Sequence, residues 1–296
     1  MSATRSVLEQ PLQPILAWAY HQLAEQGITV LDDGQEVRRR DWTLLAKIPI
    51  TGGWVWAKAS AQGFAHEGPL LQALDRFAPG SVLKPIAVHR DNGWILSPDG
   101  GETLRSGPLD REFDIDGRTP PRPPQWARVL ADYADLQFRL STRIDPLCDS
   151  GTPYLPPSRL IDIYDRFADR APGLEQAIAA AAAELEQFGR LSIEHNDLYP
   201  GHVFEATTTF FDWGDAVITH PFVSMRTHSD PLRQAYFDAW RELAPISDRE
   251  IELAGLLAPL TALHPWLGID TTPGSPAARF APLINELLDR LWANFA

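Results

Sequence analysis

The chain has 296 residues, 44% of them hydrophobic and 22% charged, which is the composition of a globular protein with a substantial core. Its formal net charge of −13 at pH 7 argues against nonspecific binding to nucleic acid or anionic membranes and would attract a cationic partner. No apolar run reaches the roughly 18 to 20 residues of a membrane span, and the N-terminus lacks a secretory signal pattern, so we expect a cytoplasmic protein. Cys148 is the only cysteine, which excludes an intramolecular disulfide.

Residues 8–104 carry the pattern of one helix followed by a small antiparallel sheet. Apolar residues at helical spacing predict a helix over 8–26 that ends at Gly27. Short β-like runs separated by turn residues then predict an antiparallel meander, interrupted by a segment of helical periodicity at 64–74. The predicted strands cover residues 28–31, 42–50, 54–59, 82–88 and 94–96.

A loop signal and a polar segment separate this part from a helical remainder. The sequence Ser-Pro-Asp-Gly-Gly at 97–101 breaks the strand pattern, and residues 105–124 are polar and rich in proline, which predicts a linker. We therefore divide the chain into an N-terminal lobe, 1–104, and a C-terminal lobe, 105–296. Helical spacing in the second lobe predicts helices over 126–140, 159–167, 174–188, 231–243, 248–263 and 276–295.

The stretch 193–216 carries the densest set of polar residues with chemical potential. Two β-forming runs flank a short polar turn at 205–207, which predicts a tight hairpin. Folding this hairpin brings Asp197 and Asp212 towards one end, beside His195. Two neighbouring carboxylates repel each other, so a proton, a cationic side chain or a metal ion has to offset their charge.

This layout resembles the catalytic and metal loops of the aminoglycoside phosphotransferase family, one of the kinase-like phosphotransferase families. The family pattern is approximately H-x-D-x-x-x-x-N, a short hairpin and then D-[FW]-G. The resemblance implies an α+β, protein-kinase-like two-lobed fold, with a small antiparallel-sheet N-lobe and a mostly helical C-lobe. It also implies that Asp197 is the catalytic base, that His195 braces the catalytic loop and that Asp212 binds Mg²⁺ on the nucleotide phosphates.

Further motifs resemble this family in the expected order. Lys58 is a lone charge in an apolar strand and by itself would be read as a solvated surface residue. Followed by Glu67 in a helical segment, it resembles the kinase pair in which the glutamate holds the lysine against the α- and β-phosphates. The break with Ser97 and Asp99 resembles the hinge that binds the nucleotide base. The helical pattern Tyr-Ala-Asp-Leu-Gln at 133–137 also occurs in members of the family.

Three features depart from the family pattern. His202 stands where the family has an asparagine that binds a second Mg²⁺. Because magnesium prefers oxygen ligands, an imidazole there either leaves the second site empty or favours Mn²⁺. No G-x-G-x-x-G loop precedes the strand with Lys58. His220 lies where many members have a Gly-Asp-Pro brace, so it either replaces that brace or packs in the core.

Together these motifs predict an ATP- or GTP-dependent enzyme that transfers the γ-phosphate to a hydroxyl of a small molecule. The acceptor could be an aminoglycoside or another antibiotic, a sugar or an amino alcohol, and the acidic chain favours a cationic one. One alternative, motivated by His202, is a catalytically weak or inactive nucleotide-binding protein. A second is a metal-dependent hydrolase whose ligands are His195, Asp197, His202 and Asp212. The Lys58–Glu67 pair favours phosphoryl transfer over hydrolysis.

Overall fold

The structure is a computed structural model that describes residues 7, 8, 10–105, 123–227 and 230–296. Most of the predicted linker at 105–124 lies outside these residues, so the linker and the division of the chain beside it stay predictions. Within the described parts of the chain, no helix is long and apolar enough to cross a membrane.

An antiparallel sheet of five strands lies in the N-terminal part of the described chain. The strands are β1 (Gln35–Arg39), β2 (Thr43–Ile50), β3 (Gly53–Ser60), β4 (Ala87–His89) and β5 (Trp94–Pro98). They follow the order β1-β2-β3-β5-β4, and every neighbouring pair is antiparallel. Alternate residues of β2 and β3 pack one face of the sheet against helix α1 (Leu12–Glu25). The opposite face, which carries Lys58, is therefore free to line a cleft.

Two of the predicted strands are wrong in extent. The segment 28–31 makes only a single bridge, from Val30 to Ile50, and the segment 82–88 is extended only at its end, in β4. Pro85 interrupts the second segment, and proline cannot donate to a strand ladder. Strand β1 was not predicted at all, because it is an exposed edge strand with a charged sequence.

Helices dominate the rest of the chain, with one small sheet among them. The helices are α2 (Glu67–Phe77), α3 (Pro123–Leu140), α4 (Ile144–Asp149), α5 (Leu160–Tyr164), α6 (Glu175–Glu186), α7 (Asp230–Leu243), α8 (Asp248–Leu263) and α9 (Ala281–Phe295). The helix expected over 159–167 is shorter than predicted, and α4 was not expected. Strands β6 (Ser192–Glu194) and β7 (Val217–Thr219) pair in antiparallel fashion inside the core of this part.

The two strands of this small sheet position the polar stretch between them. Strand β6 leads directly into His195, and β7 begins shortly after Asp212. The predicted hairpin is present in a short form: Val203 bridges Phe210, and the backbone N–H of Phe204 donates to Thr209 at 3.0 Å. Both aspartates therefore lie at the edge of a buried sheet, facing the N-terminal part of the chain.

Candidate active site

The loop that carries Asp197 leaves β6 through a left-handed residue. Asn196 has φ of 65°, a conformation that asparagine tolerates better than most residues. Its backbone N–H donates to Glu194 Oε1 at 2.9 Å, and its side-chain amide donates to the Thr261 carbonyl at 2.9 Å. The turn leaves the side chain of Asp197 44% exposed, as a group that binds a proton from a substrate must be.

A buried hydrogen-bond network fixes this loop from behind. Glu194 is 1% exposed, and its carboxylate accepts from Tyr133 at 3.2 Å, from Gln137 at 3.3 Å and from the Ser224 hydroxyl. The Tyr133 hydroxyl in turn accepts the backbone N–H of His195 at 2.9 Å. Tyr133 and Gln137 begin and end the Tyr-Ala-Asp-Leu-Gln pattern, so that pattern supports the loop rather than contacting substrate.

His195 is fully buried and joins the two halves of the polar stretch. Its Nε2 lies 2.8 Å from the carbonyl oxygen of Phe211, the residue before Asp212, and its ring packs on Trp213 with the centroids 4.6 Å apart. Burial, reinforced by the nearby His202, lowers the pKa of His195 to about 3. The imidazole is therefore neutral and donates from Nε2, which makes His195 a positioning residue.

Asp212 links the two parts of the molecule through Lys58. Its backbone is left-handed, with φ of 62°, and its Oδ1 lies 2.5 Å from the Nζ of Lys58. The same Nζ lies 2.7 Å from Glu67 Oε2, so the predicted strand–helix pair is present. Burial opposes the charge of Lys58, but Asp212 and Glu67 together raise its pKa above the ordinary value. The lysine is therefore a permanent cation in the cleft.

His202 also reaches Asp212, from the hairpin side. Its Nδ1 lies 2.8 Å from the backbone oxygen of Asp197, and its Nε2 lies 3.3 Å from Asp212 Oδ2. If Nδ1 carries the ring proton to the Asp197 carbonyl, Nε2 presents a lone pair to a carboxylate oxygen. Two acceptors facing each other need a proton or a metal ion between them. A metal-binding histidine commonly donates its other N–H to a carbonyl in this way, so the residues fit a divalent cation.

The donor set also limits which metal-dependent chemistry this chain can support. Within the described residues no group of three or more His, Cys, Asp and Glu is arranged to hold a metal ion. The fully buried His195 uses Nε2 for the Phe211 carbonyl, so it cannot join His202 and Asp212 as the hydrolase alternative requires. The pair His202 and Asp212 would instead need further ligands from a substrate, such as phosphate oxygens.

The predicted hinge lies beside the strand of Lys58. Ser97 is the β5 residue opposite Trp56 of β3, and Asp99 Oδ1 accepts a 2.8 Å hydrogen bond from Trp56 Nε1. Trp56 lies two residues before Lys58 and so shares its face of the sheet. Gly100 packs against the ring of Phe204, where an added Cβ would lie 2.2 Å from a ring carbon. The backbone of the predicted hinge therefore lies in direct contact with the hairpin that carries Phe204.

Two further acidic residues belong to this region, and sequence reasoning gave them no role. Asp215 lies in the cleft near Asp197 and Asp212, and burial together with these two charges raises its pKa well above the ordinary value. The available signal for Asp215 was its position, as a second aspartate three residues after Asp212. Glu194 supports the loop. The available signal for this role was its position, as a charged residue between a buried apolar residue and His195.

The ambiguity over His220 resolves in favour of packing. Its side chain is fully buried, and Nε2 lies 3.0 Å from Glu250 Oε1. The same oxygen of Glu250 accepts from Arg190 at 2.7 Å. His220 therefore joins the end of β7 to helix α8 through a hydrogen bond to Glu250.

A partly buried lysine held between a helix glutamate and a left-handed aspartate, with a second aspartate on the preceding loop, is the arrangement of a kinase-like phosphotransferase. The chain belongs to the phosphotransferase enzyme family, whose family model matches residues 27–246. The fold is the α+β, two-lobed protein-kinase-like fold implied by the sequence resemblance. No curated protein sequence matches the chain.

Solved structures with this fold match nearly the whole chain at low sequence identity. A macrolide 2'-phosphotransferase type I is 15% identical with a TM-score of 0.57, covering 95% of this chain and 96% of its own. The GDP complex of wild-type aminoglycoside 2'-phosphotransferase-IIIa is 14% identical with a TM-score of 0.59, and the shares are 95% and 98%. Choline kinase LicA from Streptococcus pneumoniae is 13% identical with a TM-score of 0.55, and the shares are 92% and 98%.

Proposed function

We propose that this chain transfers the γ-phosphate of a nucleoside triphosphate to a hydroxyl group of a small molecule. The observation that carries the proposal is the position of Lys58, whose Nζ contacts both Glu67 and Asp212. A cation fixed between the sheet and the metal loop is placed to neutralise phosphate oxygens, which is the main catalytic task in phosphoryl transfer.

Asp197 is the proposed base. Its exposed carboxylate would hold the acceptor hydroxyl and take its proton while the hydroxyl oxygen attacks the γ-phosphorus. The bond from that phosphorus to the bridging oxygen then breaks, and the nucleoside diphosphate leaves. The contact from His202 Nδ1 to the Asp197 backbone oxygen and the hydrogen bonds of Asn196 keep the loop in this position. His195 supports it by holding the loop to Phe211.

Asp212 and His202 are the proposed metal ligands. Their facing atoms, Oδ2 and Nε2, lie 3.3 Å apart, and an ion held by both would take its remaining ligands from phosphate oxygens and water. A divalent cation held there would reduce the charge on the phosphates and on the departing diphosphate. Because one of the two ligands is nitrogen, Mn²⁺ should serve at least as well as Mg²⁺.

Ser97 and Asp99 are the proposed contacts for the nucleotide base. Ser97 lies in β5 opposite Trp56, and Asp99 follows the end of β5 and accepts a hydrogen bond from Trp56. A base placed there would leave its phosphates pointing along β3 towards Lys58. Whether the base is adenine or guanine follows from the same assay that identifies the acceptor.

The acceptor is proposed to be a small, cationic molecule with a hydroxyl group. Asp197 brings an exposed carboxylate to the open side of the site, and the whole chain carries a net charge of −13. The names of the solved structures are compatible with this class, since they include an aminoglycoside phosphotransferase and a choline kinase.

The test is a screen of the purified chain with ATP or GTP, Mg²⁺ or Mn²⁺, and a panel of hydroxyl compounds. The panel should contain amino alcohols, aminosugars and macrolides, with neutral sugars for comparison. We expect at least one acceptor to stimulate nucleotide turnover and to gain one phosphate by mass spectrometry, and the Asp197→Asn variant to form product about 10²- to 10⁴-fold more slowly. Nucleotide binding without any phosphorylated product would favour the catalytically weak alternative. No nucleotide binding under any condition would contradict both.

A further inference from the structure

The edge strand β1 contains an irregularity that changes the direction of one arginine. Glu36 pairs with Ala46 of β2, whereas Arg38 pairs with Leu45, so the register shifts by one residue and Val37 is extra. Val37 is 51% exposed, as expected for the additional residue of a bulge. Because side chains alternate between faces, Arg38 would share the face of the buried Leu44 without this shift. The bulge instead places it on the opposite face.

That opposite face carries Lys58 and covers one side of the candidate active site. We call this face the roof. Leu45 pairs with Arg38 on one side and with Lys58 on the other, so the three residues form a row across β1, β2 and β3. Directly paired residues in neighbouring strands project from the same face. Arg38 is therefore the second cation in the row that ends at Lys58, above Asp212.

Arg38 differs from the adjacent Arg39 in its contacts. Arg39 lies on the other face, where it forms an ion pair with Glu36 at 2.6 Å and donates to the carbonyl of Gln10 at 2.7 Å. The Nε of Arg38 is buried without a hydrogen-bond partner, and its guanidinium makes no ion pair with any residue that the structure describes. A buried donor such as this Nε is unfavourable unless a ligand or water completes its hydrogen bond.

The turn after β1 does not supply phosphate contacts in the usual kinase manner. Residues 35–50 contain no glycine. The backbone N–H of Arg40 donates to Thr43 at 2.7 Å, and the N–H of Thr43 donates to Arg40 at 3.4 Å. These two donors are therefore used within the turn. The side chain of Arg38 offers a further hydrogen-bond donor on this part of the roof.

We propose that Arg38 binds the non-bridging oxygens of the nucleotide's phosphate chain, as a second cation beside Lys58. This inference rests on the proposed function and adds a residue to it. The charge of Lys58 is already opposed by Glu67 and Asp212, so a triphosphate entering the cleft would meet little net positive charge from that group alone. The planar guanidinium can form two parallel hydrogen bonds to phosphate oxygens.

The test compares Arg38→Met, Arg38→Lys and, as a control for net charge, Arg290→Met at the exposed ion pair on α9. Affinities for ATP, GTP and the two nucleosides are measured by calorimetry with Mg²⁺ and with Mn²⁺, together with melting temperatures. We expect Arg38→Met to weaken binding of the preferred triphosphate about 10- to 100-fold, which is the effect of losing hydrogen bonds to a charged group. Nucleoside affinity and the melting temperature should be unchanged, and Arg38→Lys should restore part of the loss.

Several results would overturn this assignment. Unchanged triphosphate affinity in Arg38→Met would show that Arg38 does not bind the phosphates. It would leave the proposed function standing, provided that the wild-type chain binds the nucleotide. An equal loss of nucleoside and triphosphate affinity, or an equal loss in Arg290→Met, would show that the effect does not come from phosphate contacts. Absence of triphosphate binding to the wild type would overturn both the inference and the proposed function.

Discussion

The cleft lies between the sheet face with Arg38 and Lys58, the roof, and the loop with Asp197 and the buried Glu194 beneath it, the floor. These two regions hold their charges in opposite ways. On the roof, Lys58 and Glu67 face Asp212 across the cleft, and Arg38 has no ion-pair partner among the described residues. On the floor, the buried Glu194 accepts hydrogen bonds from neutral groups on three different elements. The guanidinium of Arg38 is thus available to a ligand, whereas the charge of Glu194 fixes the position of the loop that carries Asp197. Substitutions on the roof should therefore alter nucleotide binding, and those beneath the floor should alter stability.

We expect the largest effect from a substitution of Asp197 on the floor, and this effect is on catalysis. Asp197→Asn keeps the shape of the side chain but removes the proton acceptor, so kcat with an identified acceptor should fall by about 10²- to 10⁴-fold. Nucleotide affinity should remain nearly unchanged, because Asp212 and the roof are intact. Steady-state kinetics and calorimetry measure the two quantities. The exposed Asp289→Asn on α9 serves as control, and turnover of Asp197→Asn near the wild-type level would exclude Asp197 as the base.

Removing the buried charge beneath the floor should destabilise the whole chain. Glu194→Ala leaves the hydroxyls of Tyr133 and Ser224 and the amide of Gln137 without a common acceptor, and we expect a loss of about 3 kcal/mol or more. Urea unfolding of this variant measures the loss. Glu286→Ala, at an exposed ion pair on α9, should leave stability nearly unchanged. Equal effects of the two substitutions would remove the distinction between roof and floor.

Acid should destabilise both regions through buried histidines. Burial lowers the pKa of His195 on the floor to about 3 and that of His66, which precedes α2, to about 4, from an ordinary 6.5. Because these pKa values are depressed in the folded state, their contribution to stability is complete above pH 6.5. It is lost as pH falls, since the unfolded chain then binds protons that the folded chain excludes. Well below pH 6.5 the loss is about 1.4 kcal/mol per pH unit for each histidine.

The pH dependence can be assigned by substitution. Unfolding free energies between pH 7 and pH 4 should fall less steeply in His66→Gln than in the wild type. The exposed His21→Gln on α1 should keep the wild-type slope. A His66→Gln variant with the full wild-type slope would show that His66 is not excluded from protons in the folded state. Asp212, whose pKa is also held low, adds to the loss only below its ordinary value of 3.8.

The smallest expected effect concerns the choice of metal ion. His202→Asn replaces a nitrogen ligand by an amide oxygen, which should raise activity with Mg²⁺ and reduce any advantage of Mn²⁺ by several-fold. Turnover with each ion, for wild type and variant near neutral pH, gives the ratio directly. If the ratio is unchanged and activity with Mg²⁺ does not rise, His202 is not a metal ligand.

Most residues of the candidate site could be named from the sequence because their signals are local. The spacing of Asp197 and Asp212 around a hairpin, and of Lys58 before Glu67, follows from contiguous motifs, and the structure brings all four to one cleft. The helices α1, α3, α7, α8 and α9 were predicted because each carries a periodic apolar face. Helix α1 begins later than expected, at Leu12, because Pro11 is extended.

Other features depend on tertiary contacts that no local pattern records. Strand β1 is charged and exposed, and the direction of Arg38 depends on a register shift of one residue against β2. Glu194 can support the loop only because Tyr133 and Ser224, which come from distant parts of the chain, both donate hydrogen bonds to it. The packing of His220 against Glu250 required the position of α8. Such pairings are set by the whole fold, so composition and periodicity could not reveal them.

We propose that the cleft binds a nucleoside triphosphate together with a divalent ion held by Asp212. This binding can be measured by titration calorimetry of the wild type and of Asp212→Ala, with ATP and with GTP, in the presence and absence of Mg²⁺ or Mn²⁺. We expect the wild type to bind one of the nucleotides in a metal-dependent manner and Asp212→Ala to lose that dependence. Equal affinity and equal metal dependence in the two proteins would contradict the account.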